Sequence, residues 1–130
     1  MKILVCGPRR WVNPKPIEEV LRAFPRGTIL VHGDAAGVDS IAGWLGEQLG
    51  FEVRPYAVDH LLDGPWPAAG PIRNGRMLAS EHPHTDGSFI EVGIAFVPPT
   101  GLTTGTGNMA VRMRHARPAI DVREIVGKPR

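Results

Sequence analysis

The chain of 130 residues has little of what several protein classes require. It contains one cysteine, Cys6, which excludes both a disulfide framework and a zinc site built from cysteines. No stretch approaches the roughly 20 apolar residues of a membrane span, and residues 1–20 lack the pattern of a signal peptide. We therefore expect a cytoplasmic protein that has no membrane partner.

Charge is limited in both amount and arrangement. The formal net charge is +2, most of the 15 basic residues are arginines, and no block of like charges occurs. Eight aromatic residues are also few for a surface that stacks bases along a strand. We therefore do not expect a nucleic-acid partner. The length predicts one domain over residues 1–130. The 16 glycines and 13 prolines predict that much of this domain consists of loops with defined turns.

Short apolar runs alternate with segments of helical periodicity. Strands are predicted at 2–6, 28–31, 51–56, 89–97 and 118–122. Helices are predicted at 16–24, at 38–49, from Pro71 through Met77 and Leu78, and from about residue 106 onwards, whereas 124–130 should fray. The alternation predicts a three-layer α/β/α sandwich with a mostly parallel sheet of about five strands. Such sheets bind ligands beyond the carboxyl ends of their strands, where the strand order switches.

The first candidate loop at that edge is GPRRW, residues 7–11. Gly7 lets the backbone approach a ligand, and Arg9 can donate two hydrogen bonds to a phosphate. Trp11 offers a ring face for a base or ribose, and Arg10 is expected to point away. The alternative is a surface loop with solvated arginines and a tryptophan packed on the rim.

The second candidate is HGDAAGVD, residues 32–39, ahead of the second helix. Gly33 and Gly37 place flexible backbone before a helix N-terminus, which favours an anion, and Asp39 falls in the first helical turn. The alternative is an ordinary turn followed by an acidic first-turn residue. His32 fits a buried core histidine better than a general base.

The third candidate is AAGPIRNGRM, residues 68–77. Pro71 at the helix start would aim Arg73 and Asn74 from the first turn toward the sheet edge, and Arg76 shares the face of Arg73. The alternative is a helix with exposed arginines.

The fourth candidate is TGLTTGTGN, residues 100–108, which leads into the last helix. Its glycines and threonines, Gly105 and Thr106 among them, make a backbone nest for a phosphate. The alternative is a turn of low complexity.

Other side chains support no site. His82 and His84 lie near Glu81 and Asp86, but their spacing in a proline-interrupted loop shares no helix face, so no metal is expected. No GxSxG nucleophile elbow occurs, and no catalytic residue is assigned. Glu91, inside an apolar strand, either covers an edge or is a buried carboxylate near the site.

These four loops, in this order, resemble the YspA/YpsA-like family of the SLOG superfamily. GPRRW is similar to the family's GSRxW, HGDAAGVD to HGGARGAD, and AAGPIRNGRML to AAGPIRNREML, while residues 56–60 resemble YPADW. The likeness is close over residues 1–78 and looser over 89–122.

The resemblance implies a Rossmann-like fold that binds a nucleotide or a nucleotide-derived ligand, and it allows a homodimer. It implies phosphate contacts at the glycines of the first two loops, at Arg9 and around Gly105. It also puts Arg73 in the place of a catalytic arginine of the LOG phosphoribohydrolases. The complete set of predicted ligand-binding residues is Gly7, Pro8, Arg9, Trp11, Gly33, Asp34, Gly37, Asp39, Arg73, Asn74, Gly105 and Thr106.

One departure from the family pattern favours binding over hydrolysis of a nucleotide. The glutamate of the LOG motif PGGxGTxxE is replaced by Met109, which cannot act as a general base. The first hypothesis is therefore a nucleotide-binding sensor, carrier or sequestering protein, and no cofactor is assigned beyond a nucleotide-type ligand. The alternative is a nucleotide N-glycosidase in which Asp39, Asp34 or Glu91 takes over from the missing glutamate. A third is single-stranded nucleic-acid binding, as in the DprA proteins.

Overall fold

The chain folds around a five-stranded sheet in which all paired strands run parallel. The computed structural model describes residues 1–83 and 87–130. The strands are β1 (Lys2–Cys6), β2 (Ile29–His32), β3 (Glu52–Pro55), β4 (Val92–Val97) and β5 (Asp121–Val126). Their order is β3-β2-β1-β4-β5, so the order switches between β1 and β4. This is a Rossmann-like three-layer sandwich, as the alternating pattern predicts.

Helices cover both faces of the sheet. They are α1 (Lys15–Leu21), α2 (Val38–Gln48), α3 (His60–Asp63), α4 (Ala69–Glu81) and α5 (Thr104–Arg114). One core lies between the sheet and α1 and α2, and the other lies beneath α4 and α5. In the part of the chain that the structure describes, no helix is long and apolar enough to cross a membrane.

The central strands β1 and β4 are buried along their whole length. Successive side chains of β1 alternate between the two cores, with Ile3 and Val5 in the first and Leu4 and Cys6 in the second. A strand between two helical layers needs apolar residues on both faces, which explains the continuous apolar sequence of residues 3–6. The edge strands β3 and β5 are mostly exposed or half-buried.

Several predicted boundaries were wrong. The last strand covers Asp121–Val126 rather than 118–122, and β4 begins at Val92 rather than at 89. Helix α5 begins at Thr104 despite its glycines and threonines, α4 begins at Ala69, and α3 interrupts a segment expected to be loop. These boundaries depend on pairing with a neighbouring strand or packing against a neighbouring helix, which local periodicity does not report.

The C-terminal tail is anchored, contrary to the expected fraying. Residues up to Val126 belong to β5, and the amides of Val12 and Asn13 both donate to the Pro129 carbonyl, at 2.8 and 3.0 Å. The Asn13 side chain also donates to the Lys128 carbonyl at 3.1 Å. The tail therefore closes over the loop after β1, where its backbone groups find partners.

A buried ionic network under α4 was not anticipated from the sequence. Glu81 is 1% exposed and contacts Lys2 Nζ and Arg54 Nη1, each at 2.9 Å, through Oε1. The Tyr56 hydroxyl donates to Glu81 Oε2 at 2.5 Å. Burial opposes ionisation of Glu81, but the hydrogen bonds from Tyr56 and Lys2 outweigh it and hold its pKa below the ordinary value. The network ties the start of β1 and the end of β3 to the end of α4.

Candidate functional site

A cavity of 390 Å³ opens at the carboxyl edge of the sheet, beside the switch between β1 and β4. The loops after β1 and β2, the first half of α4 and the start of α5 form its walls, and Cys6, Met77 and Met109 contribute apolar surface. Its volume lies within the range of about 300–1,000 Å³ found for small-molecule sites.

Most of the predicted ligand-binding residues lie around this one cavity. Those that line it are Gly7, Pro8, Arg9, Gly33, Asp39, Arg73, Asn74, Gly105 and Thr106. The fold thus brings together residues from four segments that are separate in sequence, and Arg9 and Arg73 face the same space rather than opposite sides of the molecule. Arg10 also lines the cavity, although it was expected to point away.

Trp11 does not offer a ring face to a ligand. It is 1% exposed, its ring meets Phe96 edge-on at a centroid distance of 6.0 Å, and its Nε1 donates to the Asn13 carbonyl at 2.7 Å. Trp11 therefore belongs to the core on the α1 side, and its predicted stacking role is corrected to a packing role.

Asp34 and Gly37 also lie outside the cavity lining. Asp34 is exposed, with a φ of 54°, and its amide donates to His32 Nδ1 at 2.9 Å. Gly37 has a φ of 77°, and a Cβ there would lie 2.2 Å from the Pro8 carbonyl oxygen. The role of Gly37 is thus the close approach of two loops rather than a phosphate contact.

Asp39 organises the loop after β2 from within. Its Oδ2 accepts hydrogen bonds from the amides of Gly33 at 3.1 Å and Ala35 at 3.3 Å. Burial raises the pKa of Asp39 to about 6, against the opposing effects of these bonds and of Arg73. Because the loop's own carboxylate occupies these two amides, they are not available to the anion that the sequence predicts at this loop. Among the described residues, Asp39 Oδ1 has no hydrogen-bond partner.

Arg73 lies in the cavity lining and connects the loops after β2 and β3 by hydrogen bonds. It is 7% exposed, and its Nη1 donates to the carbonyls of Gly33 and of Tyr56, the latter at 3.0 Å. Its Nε donates to Asn74 Oδ1 at 3.1 Å. Burial lowers the pKa of Arg73, while Asp39 opposes that shift. A Cβ on Gly33 would lie 2.7 Å from Arg73 Cζ, so a larger residue at this position would displace the guanidinium.

The start of α5 forms the wall that remains available to an anion. The first backbone bond of this helix runs from the Gly107 amide to the Thr103 carbonyl at 2.8 Å. No described residue accepts a hydrogen bond from the amides of Thr104, Gly105 or Thr106. Gly105 and Thr106 line the cavity, so the positive end of this 11-residue helix adjoins it.

Two arginines with exposed side chains supply the charge at the rim. Among residues 1–83 and 87–130, no carboxylate pairs with Arg9 or Arg10. The Arg9 guanidinium lies instead over the ring of Trp66, with Cζ 5.2 Å from the ring centroid. With Arg73 included, three cations face the single carboxylate of Asp39, and the cavity therefore attracts anions.

Hydrogen bonds between polar side chains connect α4 and α5 behind the cavity. Asn74 Nδ2 donates to Asn108 Oδ1 at 3.2 Å, and Arg112 Nε donates to the same oxygen at 3.0 Å. Met109 is 1% exposed and lines the cavity. A thioether thus occupies the place where the resemblance puts a catalytic glutamate.

The remaining sequence candidates are a carboxylate far from the cavity, a histidine with a structural partner and a buried thiol. Glu91 is half exposed, 3.8 Å from the Met1 amino group at the opposite edge of the sheet, so it is not a buried carboxylate near the site. His32 is buried, and burial lowers its pKa, which favours the neutral core histidine. Burial likewise raises the pKa of the Cys6 thiol, which disfavours the nucleophilic thiolate.

The histidine and carboxylate group near residue 82 forms no metal centre in the part of the chain that is described. His82 Nδ1 accepts from the Ile90 amide at 3.0 Å, and its Nε2 donates to the Pro118 carbonyl at 2.5 Å. Glu81 is held by the ionic network under α4. His84 and Asp86 lie outside the described residues.

Sequence reasoning missed several residues around the cavity. Ala35, Gly70 and Thr103 line it, and Trp66 lies at its rim beside Gly70. The first three fall within candidate loops, where only the charged residues and the spaced glycines were singled out. Trp66 lies in a segment read as loop, and no local pattern connects it to Arg9.

Comparison with known proteins identifies one similar chain. No protein-family model matches the sequence, and no solved structure matches it. The Gene 61 protein of Mycobacterium phage D29 is 32% identical over 127 residues, which covers 91% of this chain and 90% of the phage protein. The similarity therefore extends over nearly the whole length of both chains.

Proposed function

The chain belongs to the family of the Mycobacterium phage D29 Gene 61 protein, and we propose that it binds a nucleotide or nucleotide-derived small molecule as a sensor, carrier or sequestering protein. The observation that carries this proposal is the juxtaposition of Arg9 and Arg10 with the start of α5 around one cavity. The family relationship supplies no activity, so the proposal rests on the geometry and on the resemblance of the four loops to nucleotide-binding relatives.

The cationic rim supports a phosphate group. The free amides at Gly105 and Thr106 lie on the same cavity as the two rim arginines. Hydrogen bonds to charged groups contribute roughly 1.5–3 kcal/mol each, so three or four of them supply a large share of the ~8 kcal/mol of micromolar affinity. The amides of Gly33 and Ala35 in the loop after β2 take no part in this, because they bond to Asp39.

The inner surface supports an organic portion of the ligand. Cys6, Met77 and Met109 line the cavity with little polar surface, and its 390 Å³ exceeds what an inorganic phosphate fills. A ligand with a phosphate and a less polar body matches both parts, which is the chemistry of a nucleotide.

The primary test is the substitution Arg9→Ala. A thermal-shift screen with nucleoside monophosphates, NAD, ADP-ribose and cyclic dinucleotides first identifies a ligand, since 100 times the dissociation constant stabilises a protein by about 2.7 kcal/mol. We expect Arg9→Ala to weaken the affinity of that nucleotide at least about tenfold by calorimetry, the loss of one charge-assisted hydrogen bond.

Arg22→Ala is the matched control for this test. It removes the same charge from the residue that follows α1, where Arg22 pairs with Glu18 on the surface at 2.6 Å, and the affinity should not change. Equal affinity of Arg9→Ala and the unmodified protein would remove the rim from the binding site. Failure of the whole panel to stabilise the protein would refute nucleotide binding.

One observation favours a second candidate function, hydrolysis of a nucleotide N-glycosidic bond. Asp39 is a buried carboxylate on the cavity, and its pKa of about 6 suits proton transfer near neutral pH. Against this, Oδ2 is occupied by two backbone amides and Met109 replaces the glutamate of the related enzymes. We therefore regard binding without hydrolysis as the better supported function.

Chromatography of the free base distinguishes the two functions. The protein is incubated with a panel of nucleoside monophosphates alongside Asp39→Asn, which keeps the shape of the side chain and removes its charge. We expect no base release above the rate of Asp39→Asn. Release by the unmodified protein that disappears in Asp39→Asn would establish the hydrolase instead.

A further inference from the structure

Trp66 is a large aromatic side chain left exposed at the edge of the cavity. It is 51% exposed, whereas Trp11 is buried and Trp44 lies on α2. A Cβ on Gly70, which lines the cavity, would lie 3.5 Å from Trp66 Cζ3. Arg9 also lines the cavity and extends over the Trp66 ring. The indole therefore contacts two residues of the cavity lining, Gly70 and Arg9.

The segment that carries Trp66 is held in a defined position. Asp63, at the end of α3, is buried and accepts two hydrogen bonds from Arg76 of α4, at 3.0 and 2.9 Å. These hydrogen bonds lower the pKa of Asp63 to about 2. The ring of His60 contacts the Trp66 ring edge-on, at a centroid distance of 5.6 Å. The exposed indole is thus fixed beside the cavity by an ion pair and a ring contact.

We propose that Trp66 stacks against the planar base of the ligand whose phosphate binds Arg9 and the start of α5. This inference rests on the proposed function and narrows the ligand to a phosphate that carries an aromatic ring. The Arg9 guanidinium lies over the indole face. On binding, Arg9 turns to the phosphate and the base takes its place on the ring, because both an arginine and a base bind an aromatic face favourably.

The contact between Arg9 and Trp66 explains why the two side chains would respond together to a ligand. Among the described residues no carboxylate neutralises Arg9, so its contact with Trp66 gives way to a stronger charge-assisted bond when phosphate arrives. The exposed Trp66 ring then has no group stacked on it unless another planar group takes the place of the guanidinium. A sugar phosphate can bind Arg9 alone, whereas a nucleotide can bind Arg9 through its phosphate and Trp66 through its base.

Fluorescence and affinity together test this proposal. The probes are the nucleotide selected by the thermal-shift screen and ribose 5-phosphate, which lacks a base. We expect the nucleotide to quench tryptophan emission in the unmodified protein and in Trp44→Phe, and Trp66→Phe to lose most of that quenching. We also expect Trp66→Ala to weaken nucleotide affinity at least fivefold while changing ribose 5-phosphate affinity less than twofold.

The outcomes separate this inference from the proposed function. If nucleotides bind and Arg9→Ala weakens them, but Trp66→Ala changes neither affinity nor quenching, the stacking role is refuted and nucleotide binding stands. Equal affinity for the nucleotide and for ribose 5-phosphate also refutes the stacking role. If no nucleotide binds the unmodified protein, both proposals fall. Circular dichroism of each variant shows whether a lost affinity reflects the ring or the fold.

Discussion

Glu81→Ala is expected to lower the free energy of unfolding by about 3–5 kcal/mol, the cost of breaking a buried ion pair by removing one partner. The change leaves Lys2 Nζ, whose side chain is 1% exposed, without its carboxylate. Arg54 and the Tyr56 hydroxyl lose the same partner. Urea denaturation followed by circular dichroism measures the loss.

Glu47→Ala is the control for this prediction, since it removes a carboxylate from an exposed position of α2. Its effect should stay within about 0.5 kcal/mol, as for most surface substitutions. If Glu81→Ala is no more destabilising than Glu47→Ala, the network does not contribute to stability.

Acid titration of stability provides a second measure of the same network. The pKa of Glu81 lies below its ordinary value of 4.5 in the folded protein. Its ionised form therefore stabilises the fold fully above that ordinary value, and this contribution is lost as the pH falls through the folded pKa. The difference in stability between the unmodified protein and Glu81→Gln should accordingly shrink as the pH falls below about 4.5. A difference that stays constant down to acid unfolding would contradict the assignment.

Gly37→Ala is expected to affect both stability and ligand affinity. Its φ of 77° and ψ of −126° form a backbone conformation that disfavours any residue with a Cβ, at a cost of roughly 1–3 kcal/mol. The new methyl group would also lie 2.2 Å from the Pro8 carbonyl oxygen and 2.6 Å from the Arg9 carbonyl carbon, and such overpacking adds about 1–3 kcal/mol. Because the loop after β1 must move, we expect nucleotide affinity to fall at least tenfold by calorimetry.

Gly27→Ala isolates the backbone contribution. Gly27 has a comparable φ of 87°, but nothing lies within 4 Å of a Cβ at this position. This variant should show the conformational cost alone and retain full ligand affinity. Similar losses of stability and affinity in both variants would mean that the contact between the two loops does not position Arg9.

The sequence predicts the layers of this fold well because hydrophobic periodicity is a local property. The runs at 2–6 and 92–97 are apolar on both faces, and these segments form the buried central strands β1 and β4. The carboxyl-edge rule then predicts where a cavity should lie, and the cavity is there. The position of β5 was predicted less well, because its pairing with β4 depends on a register that the segment itself does not encode.

The sequence predicted which segments line the cavity more accurately than what each side chain in them does. Trp11 stands two residues from Arg9 in sequence, yet its ring packs against Phe96 in the core. Trp66 is remote from Arg9 in sequence, yet it contacts the guanidinium. Proximity along the chain thus pointed to a tryptophan that lies in the core, because side-chain direction depends on the strand and helix that each residue joins.

By itself, the sequence determined the parallel sheet, its two helical layers and the loops that meet at one edge. Only the tertiary structure decided which polar groups in those loops remain available to a ligand. The amides of Gly33 and Ala35 bond to Asp39, and Arg73 is held by carbonyls on two other loops, while the start of α5 stays free. The physical reason is that a hydrogen-bonding group is satisfied by whichever partner the fold brings within about 3 Å, and several of these partners are distant in sequence.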